Sequence, residues 1–226
     1  MGAILKNEYV YLVEDDQALR HSIRDLLTFV GYHVRDWPNA EAFLREVPLE
    51  SPAVLITDMR MDELSGVDLH ARLLEQGRSL PVIYISGETT VQESIRAMKL
   101  GAYEFLLKPF GREDLLQAVA KAMQRDRQNI LNVNRQARFN EARKMLSERE
   151  CRIHDLLIRG YNNQEIMAAM SIALPTAKQY KSEVMKKLGV RTLAQLMEMS
   201  EVQHADGPLA SDDDAADTDD NSQHAA

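Results

Sequence analysis

Four carboxylates, a hydroxyl and an amine occupy equivalent places in the first half of this 226-residue sequence, each at the end of a short apolar run. Glu14-Asp15-Asp16 follow YVYLV (9–13), and Asp58 follows AVLIT (53–57). Ser86-Gly87 close PVIYIS (81–86), and Lys108-Pro109 follow AYEFLL (102–107). If these runs are parallel strands of one sheet, their carboxyl ends form the edge where such sheets bind ligands. Clustered carboxylates repel one another unless a hard cation neutralises them, and Mg²⁺ prefers this oxygen set. Asp58, at the middle of the edge, is a nucleophile candidate. Ser86 and Lys108 are placed to bind the oxygens of a transferred phosphoryl group. Taken singly, each residue has a plainer explanation, since a strand-end Asp commonly caps a helix and a surface Lys is usually solvated. The joint placement carries the inference.

The elements that must position these groups are legible in the same stretch. Helical spacing covers 17–30, with Gly31 as its stop, and YHVRDW (32–37) reads as a second strand before a helix over 39–47. AVLIT is continuously apolar, as a central parallel strand covered on both faces should be. Helices follow over 67–77 and 89–101, and a last one begins near Arg112. Five βα units in a row predict a doubly wound α/β domain with a five-stranded parallel sheet.

That last helix has no stop for some thirty residues, because LLQAVAKAMQRDRQNILNVNRQARFNEARKM lacks Gly and Pro. Apolar positions recur at Leu116, Val119, Met123, Ile130, Val133 and Ala137, interrupted by Arg127 and Asn134. A partly coiled-coil linker and a solvated connector are both compatible with this pattern. A second unit opens at SERE (147–150), where Ser147 and Glu150 form a capping-box pattern. One helix runs to Gly160. Asn162 or Asn163 caps NQEIMAAM, a short SIAL turn leads to PTAKQYKSEVMKKL, and Gly189 precedes TLAQLMEM (192–199). Four short helices with a tight turn between the second and third fit a helix-turn-helix module. Residues 204–226 are rich in Asp, Ala and Ser with little to bury and read as a disordered tail.

Composition narrows the function classes. Cys151 is the one cysteine, so no intramolecular disulfide forms, and the six histidines show no metal-binding spacing. No apolar run approaches the roughly 20 residues that span a bilayer, and the first residues do not read as a secretory signal, so a cytoplasmic protein without a membrane partner is expected. The net charge of −8 is uneven: −6 over 1–121, +3 over 122–143, +3 over 144–200 and −8 over 201–226. A basic second half permits a nucleic-acid partner. The tail aids solubility or competes with DNA for the basic helix.

Residues 8–121 resemble the receiver domain of two-component response regulators, on VEDDQALR, TDMRMDELSGVDL, VIYISGE and LLKPF in that order and at the family's distances. The resemblance implies that Asp58 accepts a phosphoryl group from the phosphohistidine of a sensor histidine kinase. It implies Mg²⁺ held by Glu14, Asp15, Asp58 and the Arg60 backbone carbonyl. Ser86 would bond the phosphoryl group, Lys108 would pair with it, Phe105 would stand at the aromatic switch position, and Lys108-Pro109 would be cis. Two departures stand out: Asp62 follows Met61 where the family usually has Pro, and Phe105 lacks the hydroxyl of the more frequent Tyr.

The second half resembles the LuxR-type helix-turn-helix domain of FixJ/NarL-type regulators, on LSERE (146–150), G-x-x-N-x-E-I (160–166), TAKQY (176–180) and VMKKLGV (184–190). By that resemblance PTAKQYKSEVMKKL is the recognition helix in the major groove of double-stranded DNA. Thr176, Lys178, Gln179, Lys181, Ser182 and Lys186 fall on or near its exposed face. Lysines there neutralise phosphates, and the Gln179 amide matches an adenine edge. Asn163 bonds a phosphate or caps its helix. Ala173 stands where a capping Ser is usual, Ala177 replaces Val and Tyr180 the frequent His.

The expected architecture is therefore a receiver (1–121), a helical linker (122–143), an all-α four-helix helix-turn-helix domain (144–203) and an acidic tail (204–226). The expected function is a response regulator, not an enzyme with an external substrate, that dimerises when phosphorylated and controls transcription, with RNA polymerase as a further partner. A Mg²⁺-dependent phosphotransfer enzyme with an Asp nucleophile is one alternative. A phosphorylation-controlled protein- or RNA-binding output is the other, though two tyrosines are the only aromatics in 144–200 and offer little for base stacking.

Overall fold

A computed structural model describes residues 7–46, 50–87 and 91–205. The chain forms two compact units, Met1–Asn134 and Arg135–Ala226.

In the first unit five parallel strands, β1 (Tyr9–Val13), β2 (His33–Trp37), β3 (Ala53–Asp58), β4 (Val82–Ser86) and β5 (Glu104–Leu107), lie in the order β2-β1-β3-β4-β5. Helices α1 (Gln17–Phe29), α2 (Ala40–Glu46), α3 (Gly66–Glu75), α4 (Val91–Lys99) and α5 (Arg112–Lys144) connect and cover them. Successive side chains of a strand point to opposite faces, and the cores divide accordingly. Val10, Leu12, Val54, Ile56, Ile83 and Ile85 pack with α1 and α5, whereas Tyr11, Val13, Leu55, Val82 and Tyr84 pack with α2 and α3. Every residue of β3 and β4 is buried, the condition that a run of continuous apolar residues requires. Strand order reverses between β1 and β3, so the edge between their carboxyl ends is the switch point where ligands bind in open parallel sheets.

Helix α5 is unbroken over 33 residues. Leu115, Ala118, Val119, Ala122 and Met123 bury in the first core. Beyond them the apolar face loses its cover: Leu131 is 62% and Val133 68% exposed. Phe139, further along the same helix, is buried in the core of the second unit.

The second unit contains α6 (Glu148–Ile158), α7 (Asn163–Met170), α8 (Leu174–Lys187) and α9 (Leu193–Ala205). Ile153, Leu157, Ile166, Ala177, Val184, Leu188 and Leu196 make its core. Ser147 and Glu150 form the capping box that starts α6. Asn162, not Asn163, caps α7 through a second capping box with Glu165, and Asn163 is the first helical residue. Residues 171–173 make the turn into α8, with Ser171 left-handed at φ 52. Helix α9 extends to Ala205, past the expected end of TLAQLMEM and two residues into the expected tail. EVQHA contains good helix formers, and the first breakers in the sequence are Gly207 and Pro208. The rest of the expected tail lies outside the described residues. Among those described, no helix is long and apolar enough to cross a membrane.

Candidate functional site: a carboxylate pocket and a basic helix

The ends of β1, β3, β4 and β5 bring the acidic and basic groups together. Glu14 is fully buried and Asp15 exposed. Asp58 is buried as the last residue of β3. Ligand oxygens of Glu14, Asp15 and Asp58 all lie within 4.8 Å of one another, a hard, all-oxygen donor set of the kind Mg²⁺ takes. Asp16, the third acidic residue in the run, does something else. Its carboxylate accepts the N–H groups of Ala18 (2.8 Å) and Leu19 (3.0 Å) as the cap of α1, and those bonds hold its pKa below the ordinary value.

Lys108 reaches into the cluster from β5. Its Nζ donates to Asp58 Oδ2 at 2.5 Å and to both oxygens of Glu14 at 2.9 and 3.1 Å. Burial pushes the Glu14 carboxyl up to about 7, Asp58 pushes the same way, and Lys108 pulls against both. Burial alone would lower the Lys108 ammonium, but its bonds to Asp58 and Glu14 hold it above its usual range. The other Asp58 oxygen, Oδ1, accepts the backbone N–H of Arg60 at 2.9 Å. Ser86 is buried at the end of β4, and its carbonyl accepts the Lys108 backbone N–H at 2.7 Å, which keeps the two residues side by side. The Lys108-Pro109 peptide is cis, as is Ser51-Pro52.

Arg20 and Gly66 lie inside the motifs that resemble a receiver, yet neither is among the site residues that the sequence points to. Arg20 donates to the carbonyls of Glu14 (2.6 Å) and Asp15 (3.3 Å) and pairs with Asp36 at 3.3 Å, fixing the β1–α1 turn. Gly66 starts α3 against the backbone of the phosphoacceptor candidate. A Cβ there would lie 2.1 Å from the Asp58 carbonyl oxygen, so no other residue fits without a shift. Phe105 stacks on Tyr84, ring centroids 5.4 Å apart, and the Tyr84 hydroxyl bonds His70 Nδ1 at 2.9 Å. Asp62, the departure from the family pattern, is exposed in the turn before Glu63 and is not part of the metal-competent cluster.

The second constellation lies on α8. Lys178, Gln179, Ser182 and Lys186 are exposed, and Thr176 and Lys181 are half-buried. Gln179 donates to Glu183 at 3.0 Å, so reading a base edge requires that bond to open. Lys187 is committed elsewhere. It pairs with Glu150 at 2.7 Å, and with the Ser147 cap it holds the Glu150 carboxyl down at about 2, tying α6 to α8. Ala173 caps α8 without a side-chain bond, with Pro175 in the first turn.

Comparison with known proteins matches both halves. The family described as the response regulator receiver domain covers residues 10–120, and bacterial regulatory proteins of the luxR family cover 144–200. Response regulator protein TodT of Pseudomonas putida is 32% identical over 192 residues, 85% of each chain. Nodulation protein W of Bradyrhizobium diazoefficiens is 35% identical over 192 residues, also 85% of each. Transcriptional regulatory protein FixJ of Rhizobium meliloti is 31% identical over 191 residues, 84% of this chain and 94% of that one. Among solved structures, response regulator StyR matches at 33% identity and TM-score 0.68 over 86% of this chain and 98% of its own. Full-length FixJ of B. japonicum matches at 29% identity and TM-score 0.53 over 87% and 97%. A sheet-edge carboxylate pocket joined in one chain to a helix-turn-helix places this protein in the family of two-component response regulators with a LuxR-type DNA-binding domain.

Proposed function

We propose that Asp58 is the phosphoacceptor and that its phosphorylation controls DNA binding by α8. The observation that carries this reading is the contact set of Asp58: one oxygen on Lys108, the other on the Arg60 N–H, with Glu14 and Asp15 in reach of a shared cation. In the transfer, an Asp58 oxygen attacks the phosphorus of a kinase phosphohistidine. The P–N bond breaks and the imidazole leaves. Glu14, Asp15, Asp58 and the Arg60 carbonyl would hold Mg²⁺, which when bound offsets the charge of the phosphoryl oxygens. Lys108 neutralises a further phosphoryl oxygen, and Ser86 donates its hydroxyl to another. The receiver acts on its own aspartate and turns over no external substrate.

The output follows from two surfaces. Val91, Ile95 and Met98 of α4 and Leu107 of β5 are exposed by 75, 47, 64 and 66%, an apolar face that a second phosphorylated copy covers. Phe105 acts as the switch through packing on Tyr84. The dimer presents two copies of α8 to two half-sites, with Lys178, Lys181 and Lys186 on phosphates and Thr176, Gln179 and Ser182 at the groove. Receiver (1–121), linker (122–143), helix-turn-helix (144–203) and acidic tail (204–226) are the functional divisions. The protein works in the cytoplasm, and RNA polymerase is the downstream partner.

The test is capture of sheared genomic DNA by the full chain, with and without Mg²⁺ and beryllofluoride, alongside D58N. Discrete fragments enriched only with the phosphoryl mimic, and lost in D58N, are expected. Equal capture in all three samples would make Asp58 dispensable, and no enrichment in any would remove the DNA-binding output.

A further inference from the structure

Helix α4 is packed lightly against the rest of the first unit. It buries one residue completely, Ala97, whereas α3 buries Gly66, Val67, Leu69, His70 and Leu73. Its remaining ties include two ion pairs. Glu93 accepts the Arg60 guanidinium through both oxygens, at 3.0 and 3.4 Å. Arg96, one turn on, pairs with Asp68 at 2.7 Å, and Asp68 also accepts the Ser65 hydroxyl at 2.6 Å where Ser65 caps α3. Glu93 and Arg96 are three residues apart and share one side of the helix. Val91, Ile95 and Met98 make its exposed apolar side.

Arg60 belongs to both the pocket and α4. Its backbone N–H is on Asp58, while its guanidinium is on Glu93. A phosphoryl group on Asp58 carries about 1.5 to 2 negative charges in place of the single charge of the carboxylate, spread over three acceptor oxygens. Guanidinium binds phosphoryl oxygens in a fork, and such charge-assisted bonds outweigh an exposed pair with one carboxylate. We propose that Glu93 and Arg96 tether α4 in the unphosphorylated receiver, and that Arg60 leaves Glu93 for the phosphoryl oxygens on Asp58, removing one of the two ties and loosening the helix. The proposal rests on Asp58 being the phosphoacceptor and adds the link from that event to the apolar face. Arg60 is the exchanging group, Glu93 its resting partner, and the Arg96–Asp68 pair a second tie that the exchange leaves in place.

Hydrogen exchange of the α4 amides in the full-length protein tests this, with E93Q, R96Q and the double variant compared at low and high salt. Binding of beryllofluoride is followed separately by fluorine NMR. Exposed ion pairs contribute little individually, so each substitution should speed α4 exchange by about two- to fivefold and the pair by about tenfold. Added salt should speed wild type toward the double variant, because it screens the same pairs. Beryllofluoride with Mg²⁺ should speed α4 exchange in wild type and add almost nothing in E93Q, where the tie is already gone. A helix merely weakened by the substitution would still respond to the mimic. Unchanged α4 exchange in the double variant overturns the tethers, and a full response of E93Q overturns the partner exchange. Absence of any bound beryllofluoride signal in wild type overturns the phosphoacceptor reading instead, and the exchange of partners with it.

Discussion

Glu14, Asp15 and Asp16 stand consecutively, and the fold gives them different environments. Glu14 is sealed under Lys108, Asp15 faces solvent at the cluster's rim, and Asp16 closes the first turn of α1. The second buried titratable group of note is His70, 3% exposed and bonded to the Tyr84 hydroxyl beneath Phe105. Burial lowers its pKa from 6.5 to about 4, so the folded receiver holds it neutral. A histidine depressed in this way contributes stability that is fully present above pH 6.5 and is lost as pH falls toward 4, because the unfolded chain takes up the proton first. In urea unfolding, the stability gap between wild type and H70Q should narrow by about 2–3 kcal/mol between pH 7 and pH 4. A constant gap would mean that His70 titrates alike in both states.

At the level of elements, caps and breakers made most boundaries legible. Ser147-x-x-Glu150 announced α6, and Gly160 and Gly189, at φ 82 and 66, stop their helices as expected. What stayed hidden is what depends on distant backbone. Two adjacent asparagines offered the same capping chemistry, and only the path of the chain into α7 selects Asn162. The need for glycine at position 66 comes from β3, and Glu93 finds Arg60 across 33 residues. Neither leaves a local pattern. The linker's apolar positions were readable too, but spacing alone did not show that cover ends before Leu131. The start of α8 is the weakest cap in the second unit, since Ala173 supplies no acceptor while Ser147 and Asn162 do. A173S should therefore stabilise the helix-turn-helix unit by about 0.5–2 kcal/mol, read as a higher thermal midpoint for that unit. No gain would show that Pro175 already fixes the first turn, since its missing N–H and preset φ suit that position.

Over the whole molecule, charge is the property that the separate halves cannot express. The receiver and the end of the chain are acidic, and the intervening residues 122–200 carry a net +6, so the net −8 hides a basic stretch that includes α8. Removing residues 206–226 takes away seven aspartates and leaves a net charge of −1. Proteins near zero charge associate and precipitate, so the truncated chain should come out of solution at pH 7 at concentrations where the full chain stays clear. DNA affinity behaves differently. The slope of log affinity against log salt counts the phosphates neutralised, and the lysines proposed to meet them, Lys178, Lys181 and Lys186, remain in the truncated chain. That slope should therefore be unchanged and the affinity within about twofold at fixed salt. If truncation instead raised affinity about tenfold and steepened the slope, the aspartates would be occupying the lysines that DNA needs, and the tail would be a competitor built into the chain.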